Sequence, residues 1–290
     1  MSKYPSQAEI AYPPLRPILQ QPPEWLCHYT GQHGMIGILG SGEIWASKIQ
    51  CLNDSSELSR GFGIALEAFR HTRPDDSGAS QKMIELMDQS QGMYGGTNIC
   101  VCSWSETSDL LSQWRAYSKN SQGYALHFRS ADLQEAAKRE NFRLGKCIYN
   151  EVEQRAIIGE IAKTLWMRYA KCREKDDLEL TTLRNDLVFI LLTILPFLKH
   201  PAFSEEREWR LVSGMIDYTS ARYSIRTGPV VPIPYYRIPL NPHKRNVEFR
   251  TTIGPSPHPD IASDAVNIAS KFGPLKWIGS YFSQTPLRTI

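Results

Sequence analysis

The stretch Lys199-His-Pro-Ala-Phe-Ser-Glu-Glu-Arg-Glu-Trp-Arg-Leu-Val212 carries the most informative pattern in the chain. If it is extended from Glu206, the side chains of Glu206, Glu208 and Arg210 project from one face, while Trp209 enters the core. Two carboxylates on one strand face repel each other unless a cation or a polar ligand lies between them. The pattern therefore predicts either ion pairs bridged by Arg210 or a Glu-x-Glu pair that orients a sugar hydroxyl or steadies a developing cation.

The segments around this stretch alternate between β-prone runs and amphipathic helices. Strands are expected at 24–30, 43–49, 98–104, 123–128, 142–149, 208–213, 247–253 and 277–282, and helices after the first strand and at about 57–72, 80–90, 108–117 and 261–271. We expect one mixed α/β (α+β) domain over residues 24–290, in which helices surround a central mixed, largely antiparallel sheet. An extended N-terminal arm, 1–23, precedes it, and a helical insertion lies at about 151–198.

The composition favours an ordinary globular, cytoplasmic protein. The chain has 290 residues, 41% hydrophobic and 22% charged, with a net charge of +3 that gives no argument for wrapping duplex DNA. The N-terminus lacks the apolar run of a signal peptide. Leu187–Leu198 is too short to span a bilayer and contains Pro196, so it predicts a buried helix. None of the six cysteines forms a C-x-x-C pair, which favours reduced core thiols.

The segment Trp25-Leu-Cys-His-Tyr-Thr30 places chemistry at a strand end. His28 and Thr30 share one face with Leu26, while Cys27 and Tyr29 share the other. Imidazole and hydroxyl groups at a strand end next to a loop are common ligand-binding groups in α/β folds. The alternative is a half-buried histidine with a satisfied hydrogen bond.

Two polar segments follow later in the chain. In Leu52-Asn-Asp-Ser-Ser-Glu57, Asn53 is a candidate ligand-binding residue, although these residues also suit a helix N-cap. After Ser103-Trp-Ser-Glu106 comes Leu111-Ser-Gln-Trp-Arg-Ala-Tyr117, which combines indole, guanidinium and phenol groups. Such groups suit an aromatic ligand that bears phosphate. A core tryptophan beside a surface arginine is the alternative.

Taken in order, these motifs resemble a known family. The series HYT, IWAS, LNDSSE, SWSE, LLSQWRAY, GYALHF, FSEEREWRLV, IGPS and S-x-x-P-x-R is similar to the bacterial family catalogued as domain of unknown function 2971. The resemblance spans roughly residues 25–288. That family is in turn similar in motif order to the ADP-ribosyltransferases, although the present sequence lacks their Ser-Thr-Ser triplet and has SQWRAY in the middle motif.

The resemblance implies an NAD-consuming enzyme that needs no metal and acts as a mono-ADP-ribosyltransferase or NAD glycohydrolase, with a protein or nucleic-acid acceptor. Glu208 would be the catalytic carboxylate with Glu206 beside it, and His28 and Thr30 would hold a ribose. The full implied NAD-binding set is His28, Tyr29, Thr30, Asn53, Ser103, Trp114, Arg115 and Tyr117. A role as a toxin or phage-defence effector, with an antitoxin or defence-system partner and no membrane, would follow.

Two other hypotheses about the function remain open. A metal-dependent nuclease would use Asp54, Glu206 and Glu208 to bind a divalent cation. A non-catalytic binding module would use the polar cluster only for structure or for holding a ligand.

Overall fold

The structure, a computed structural model, describes residues 16–52, 56–75, 77–90, 97–117, 122–172, 176–228, 230–240 and 247–286. Their strands are β1 (Trp25–Gly31), β2 (Glu43–Lys48), β3 (Cys100–Ser105), β4 (Gly123–Arg129), β5 (Phe142–Lys146), β6 (Glu208–Ser213), β7 (Tyr223–Arg226), β8 (Ile233–Pro239), β9 (Val247–Ile253) and β10 (Leu275–Phe282). Their α-helices are α1 (Gln32–Ser41), α2 (Ser56–His71), α3 (Gly78–Gln89), α4 (Leu111–Tyr117), α5 (Ser130–Arg139), α6 (Glu151–Lys171), α7 (Asp177–Ile194) and α8 (Pro259–Ser270).

The described residues form two compact units. One, the helical unit, contains residues 16–20 and the described parts of 49–98 and 147–203. The other, the sheet unit, contains all ten strands and is drawn from 21–48, 99–146 and 204–286. Helices lie in 151–198 as expected, and α2 and α3 belong to the same unit. The expected single domain stays a prediction.

The ten strands form a mixed, largely antiparallel sheet, as the sequence predicts. Its main path runs β10-β9-β4-β1-β3-β2-β8-β7, and β6 joins β3 to β5 off this path. The β10–β9 pair is parallel, whereas the other pairs are antiparallel.

The sheet forks at β3. Strand β1 pairs with β4 along seven residues, but it meets β3 at a single pair, Cys27↔Ser105. Farther along the same edge of β3, the paired strand is β2 instead of β1, with Ser47 opposite Val101. We use the term fork for the place where the two strands diverge. It consists of His28–Gly31 of β1 and the part of β3 around Ser103. Backbone groups that strand pairing leaves unused at such a point need other partners.

One face of the sheet carries the main core. Its largest buried members include Trp104 on β3, Trp209 on β6 and Phe249 on β9, and Leu39 of α1 and Leu133 of α5 pack with them. We call this the core face. Helix α1 ends where Gly42 adopts φ 69, a left-handed conformation that favours glycine, and donates its N–H to the Ile38 carbonyl at 2.8 Å.

The opposite face we call the polar face. Side chains at directly paired positions of antiparallel strands lie on the same side of a sheet, and successive residues alternate. The pairs Cys27↔Ser105 and Ser105↔Glu208 therefore place these three residues on the polar face. Tyr29 joins them by alternation. Trp114 of α4 covers Cys27, Tyr29 and Ala125 there in a small second cluster.

The helical unit has its own apolar interior. The rings of Phe69 and Trp166 stack at 4.2 Å between α2 and α6. The predicted buried segment, Leu187–Leu198, lies in α7 and the short turn after it and is mostly buried. The described helical stretch Asp177–Phe197 has the length and composition of a membrane span, with a hydropathy of 1.5, but half of it is buried. One such helix is weak evidence for a membrane, and the expected cytoplasmic location stays a prediction.

The structure corrects several sequence expectations. Strands β7 and β8 had not been predicted. Glu206 does not belong to β6: it ends a 3₁₀ turn over Pro201–Glu206, and the strand starts at Glu208. Arg207 between them has φ 43, which breaks the extended backbone. Asn53 and residues 1–15 of the expected arm lie outside the described residues.

Candidate functional site

Glu208 and Arg210 form a buried ion pair on the polar face. Arg210 Nε donates to Glu208 Oε1 at 2.8 Å, and Nη2 donates to Oε2 at 3.1 Å. The two side chains are 4% and 3% exposed. The geometry is the two-point contact in which guanidinium and carboxylate fit best. The expected bridging of a carboxylate by Arg210 is therefore confirmed, with Glu208 as its partner.

Glu206 occupies a different position from the one expected. Because β6 begins at Glu208, Glu206 lies outside the strand alternation. Its backbone carbonyl accepts a hydrogen bond from Ser105 Oγ at 2.7 Å, and Ser105 Oγ also accepts from the Thr107 N–H at 3.0 Å. The structure thus brings Glu206 close to the end of β3 through its backbone.

His28 lies at the fork but on the core face. Its ring is 5.4 Å from the ring of Trp104, and its Nδ1 donates to the Ser103 carbonyl at 2.9 Å. That carbonyl would pair with β1 if the strands stayed together. Burial lowers the pKa of His28, and the bond to Ser103 opposes this only in part. His28 therefore matches the satisfied, half-buried histidine, and alternation places Glu208 on the other face.

Tyr29 is the residue of β1 that shares the polar face with Glu208. Its hydroxyl donates to the Thr107 carbonyl at 2.8 Å and accepts from the Leu110 N–H at 3.1 Å. Its ring stacks on that of Tyr117 at 6.5 Å and meets Trp114 edge-on at 4.9 Å. Burial raises the pKa of Tyr29. Trp114 and Tyr117, the two candidate aromatic residues of α4, therefore pack against Tyr29 of β1.

The remaining predicted residues are placed more simply. Trp114 is fully buried, as in the alternative of a core tryptophan, whereas Arg115 is exposed. Ser103, opposite Arg210, lies on the polar face at the fork and is half-buried. Thr30 is buried, and α1 runs so close to it that a Cβ at Gly34 would overlap its Oγ1.

Two acidic residues that sequence reasoning missed organise the surroundings of the site. Asp109 accepts from Trp114 Nε1 at 2.7 Å and from the backbone N–H of Gln284 at 2.8 Å, together with hydroxyls that include Thr285 Oγ1. Burial raises its pKa, but these bonds outweigh burial and leave the pKa lowered. Glu106 accepts from Trp209 Nε1 at 2.8 Å. The motif S-W-S-E contained Glu106, but nothing in it predicted this partner.

The described residues contain no group of three or more His, Cys, Asp or Glu that could hold a metal ion. Asp54, which the nuclease hypothesis requires as a metal ligand, lies outside the described ranges. The six cysteines all lie within the described residues, and none of them is in a disulfide. Burial raises the pKa of Cys27 to about 12 and also raises that of Cys102, to which the charge of Glu208 contributes.

The fold and site define a mixed α/β protein with a forked, largely antiparallel sheet and a buried Glu–Arg pair beside the fork. A family model described as a protein of unknown function, DUF2971, matches residues 113–211, about a third of the chain. The matched range runs from α4 into β6 and supports the resemblance that the motif order indicates. Comparisons with curated proteins and with solved structures give no significant match.

Proposed function

We propose that this chain is an NAD-consuming enzyme similar to the ADP-ribosyltransferases, which transfers ADP-ribose to an acceptor or hydrolyses NAD. The observation that supports this most is the fork. There β1 leaves β3 after a single pair, and Tyr29, Ser103, Glu208 and Arg210 share one face beside the opening. A phenol ring, a hydroxyl, a carboxylate and a guanidinium are the groups needed to hold nicotinamide and ribose.

Glu208 is the proposed catalytic carboxylate. Cleavage of the nicotinamide–ribose bond passes through an oxocarbenium-like state, as glycoside hydrolysis does. A carboxylate fixed near the ribose stabilises that positive charge more than it stabilises the ground state. Arg210 contributes by holding the carboxylate in one orientation through two hydrogen bonds. In this arrangement Tyr29, rather than His28, is the β1 residue that faces the substrate.

The exposed residues of α4 belong to the same proposal. Tyr117 is 39% exposed and stacks on Tyr29, so it extends the aromatic surface toward solvent. Arg115 is exposed beside it. A cell that loses NAD stops growing, so an enzyme of this kind would act as a toxin or phage-defence effector, with an antitoxin or a defence-system protein as its partner.

The test is a nicotinamide-release assay on the purified full chain, with and without cell RNA, DNA and protein as acceptors. The main variant is Glu208→Asp, which keeps the charge that neutralises Arg210 but withdraws the carboxylate by one methylene. Such a displacement of a catalytic group costs on the order of 10²-fold in rate. We expect the parent to release nicotinamide and Glu208→Asp to do so about a hundredfold more slowly while it remains folded.

Two controls make the assay decisive. Thermal unfolding of each variant shows that the loss of rate is not a loss of structure. Glu140→Asp applies the same shortening to a carboxylate on the core-face side, which pairs with Arg222 at 3.3 Å, and it should keep the parent rate. Equal rates for Glu208→Asp and the parent would remove the catalytic role. A parent that releases no nicotinamide with any acceptor would remove the enzyme proposal.

A non-catalytic binding module is the second candidate. The observation that favours it is the burial of the Glu208–Arg210 pair, because a carboxylate only 4% exposed and bound at both oxygens has the geometry of a structural ion pair. This candidate predicts that NAD or a related nucleotide binds and raises the unfolding temperature without being cleaved.

A further inference from the structure

The hairpin of β7 and β8 extends the polar face on the other side of β2. Ser47 of β2 pairs with Val101 of β3 and with Tyr235 of β8. Arg226 of β7 pairs with Ile233, two residues before Tyr235. By alternation, Ser47, Tyr235 and Arg226 therefore lie on the same face as Ser103 and Arg210.

Among the described residues, Arg226 has a partner for few of its hydrogen-bond donors. Its Nη2 donates to Ser47 Oγ at 3.1 Å, while its Nε is buried without a hydrogen-bond partner. Within the described ranges it forms no ion pair. A guanidinium carries five N–H donors, and a buried donor without a partner is unfavourable. An anion beside Arg226 would accept hydrogen bonds from the terminal N–H groups of the guanidinium and would also neutralise its charge.

Two aromatic side chains lie on the same face of the sheet as Arg226. The rings of Trp45 and Tyr235 lie 4.5 Å apart at 31°. Trp45 is 40% exposed, so one side of its indole is open to a planar ligand, whereas Tyr235 is buried beneath it. Arg237 pairs with Trp45 in register, but its guanidinium already donates to the Ala221 carbonyl at 2.6 Å and lies 4.0 Å from Glu43 Oε2.

We propose that Arg226 and Ser47 bind the diphosphate of a nucleotide, with the base against Trp45. Guanidinium groups bind phosphate oxygens at two points, and exposed indole rings stack on bases. Ser47 and Arg210 are two strands and two residues apart, which corresponds to roughly 12 Å for ordinary sheet spacing. One dinucleotide can bridge this distance. The inference rests on the proposed function in that NAD would supply the diphosphate.

The experiment is calorimetric titration of the full chain with two probes, ADP and adenosine, which share base and ribose and differ in the diphosphate. Arg226→Gln removes the cation and keeps two N–H donors. We expect it to weaken ADP binding about 10- to 100-fold and to leave adenosine binding within twofold. Arg226→Lys, which keeps the charge but loses the two-point contact, should fall between.

The matched control is Arg129→Gln, the same change of charge on β4 of the same sheet. Arg129 already pairs with Glu24 at 2.6 Å, so its loss should leave ADP binding within twofold. Equal weakening by Arg129→Gln would reduce the effect to general electrostatics and overturn the subsite. So would unchanged ADP binding by a folded Arg226→Gln, or a parent that binds no ADP.

The titration and the nicotinamide-release assay together distinguish failure of the subsite from failure of the enzyme proposal. If ADP binding depends on Arg226 but NAD is never cleaved, the subsite stands and the enzyme proposal fails. If NAD is cleaved and Arg226→Gln leaves both KM for NAD and ADP affinity unchanged, the enzyme proposal stands and the subsite is overturned.

Discussion

At the scale of single residues, Glu208 and Arg210 place opposite charges side by side in the interior of the sheet unit. Removal of two charges from water is unfavourable, and their attraction offsets this only when the geometry is good. Here both carboxylate oxygens face guanidinium donors, at 2.8 and 3.1 Å. The intact pair therefore adds little to the free energy of unfolding, whereas loss of one partner should lower it strongly.

Arg210→Ala should destabilise the protein by about 3–5 kcal/mol, because Glu208 would remain as a buried charge without its partner. Denaturant unfolding at neutral pH measures the change. Arg60→Ala is the control, because Arg60 pairs with Glu151 on the surface, and a pair of that kind contributes about 1 kcal/mol or less. If the two variants unfold at the same denaturant concentration, Arg210 has no structural role.

The sequence predicted the partner of Arg210 but not the surroundings of the pair. Residues two apart on a strand share a face, so Glu208 and Arg210 had to be neighbours. Their burial depends on what packs over the polar face, and the local alternation of 208–213 contains no information about that. For the same reason, Tyr29 could not be preferred over His28: only the pair Cys27↔Ser105 fixes which face of β1 meets Glu208.

At the scale of elements, the turn before β6 depends on one backbone conformation. Arg207 has φ 43, in the left-handed region that costs residues with a Cβ roughly 1–2 kcal/mol. Its N–H donates to the Ser204 carbonyl at 3.3 Å, and its own carbonyl accepts from Glu106 at 3.3 Å. The turn thus aligns the start of β6 with the end of β3.

Arg207→Val should destabilise the protein by about 1–2 kcal/mol, because a β-branched side chain tolerates φ above zero poorly. Arg207→Gly should change stability by less than about 1 kcal/mol, since relief of strain offsets the greater entropy of glycine in the unfolded chain. Comparison of the two unfolding free energies is the measurement. An equal loss in both variants would indicate that the arginine side chain, rather than its backbone, stabilises the turn.

Elements with clear periodicity were predictable, and those that break it were not. The helices α2 and α3 and the strands β1, β2 and β9 lie within two residues of their predicted bounds. Strand β8 contains Pro234 and Pro239, and a short strand with proline resembles a loop in sequence. It forms because β2 offers a full edge, with Trp45 and Ser47 opposite Arg237 and Tyr235.

At the scale of the whole molecule, stability should depend on pH through buried histidines. Burial, with the charge of Arg250 second, lowers the pKa of His127 from 6.5 to about 4, and burial also lowers the pKa of His28. As pH falls, the unfolded chain therefore binds protons before the folded chain does. This part of the stability is complete above about pH 6.5 and is lost as pH falls toward 4.

Between pH 7 and pH 5, His127 alone should account for a loss of about 2 kcal/mol. His127→Gln keeps a polar partner for Thr252 Oγ1, which lies 2.8 Å from the imidazole Nε2, but cannot be protonated. Urea unfolding at the two pH values should show a smaller difference for the variant than for the parent. The same difference in both would assign the pH dependence to other groups.

The register of β3 has a consequence for the nascent chain. Ser105 on β3 pairs with Glu208 on β6, so the ribosome adds roughly 100 residues between the two partners. At about 5–20 residues per second this takes about 5–20 s, during which one edge of β3, with the apolar residues Val101 and Trp104, waits without its neighbour. Unpaired, apolar strand edges invite association with other chains. Slow translation or a shortage of chaperones should therefore lower the soluble yield of this protein more than that of a protein whose neighbouring strands are consecutive in sequence.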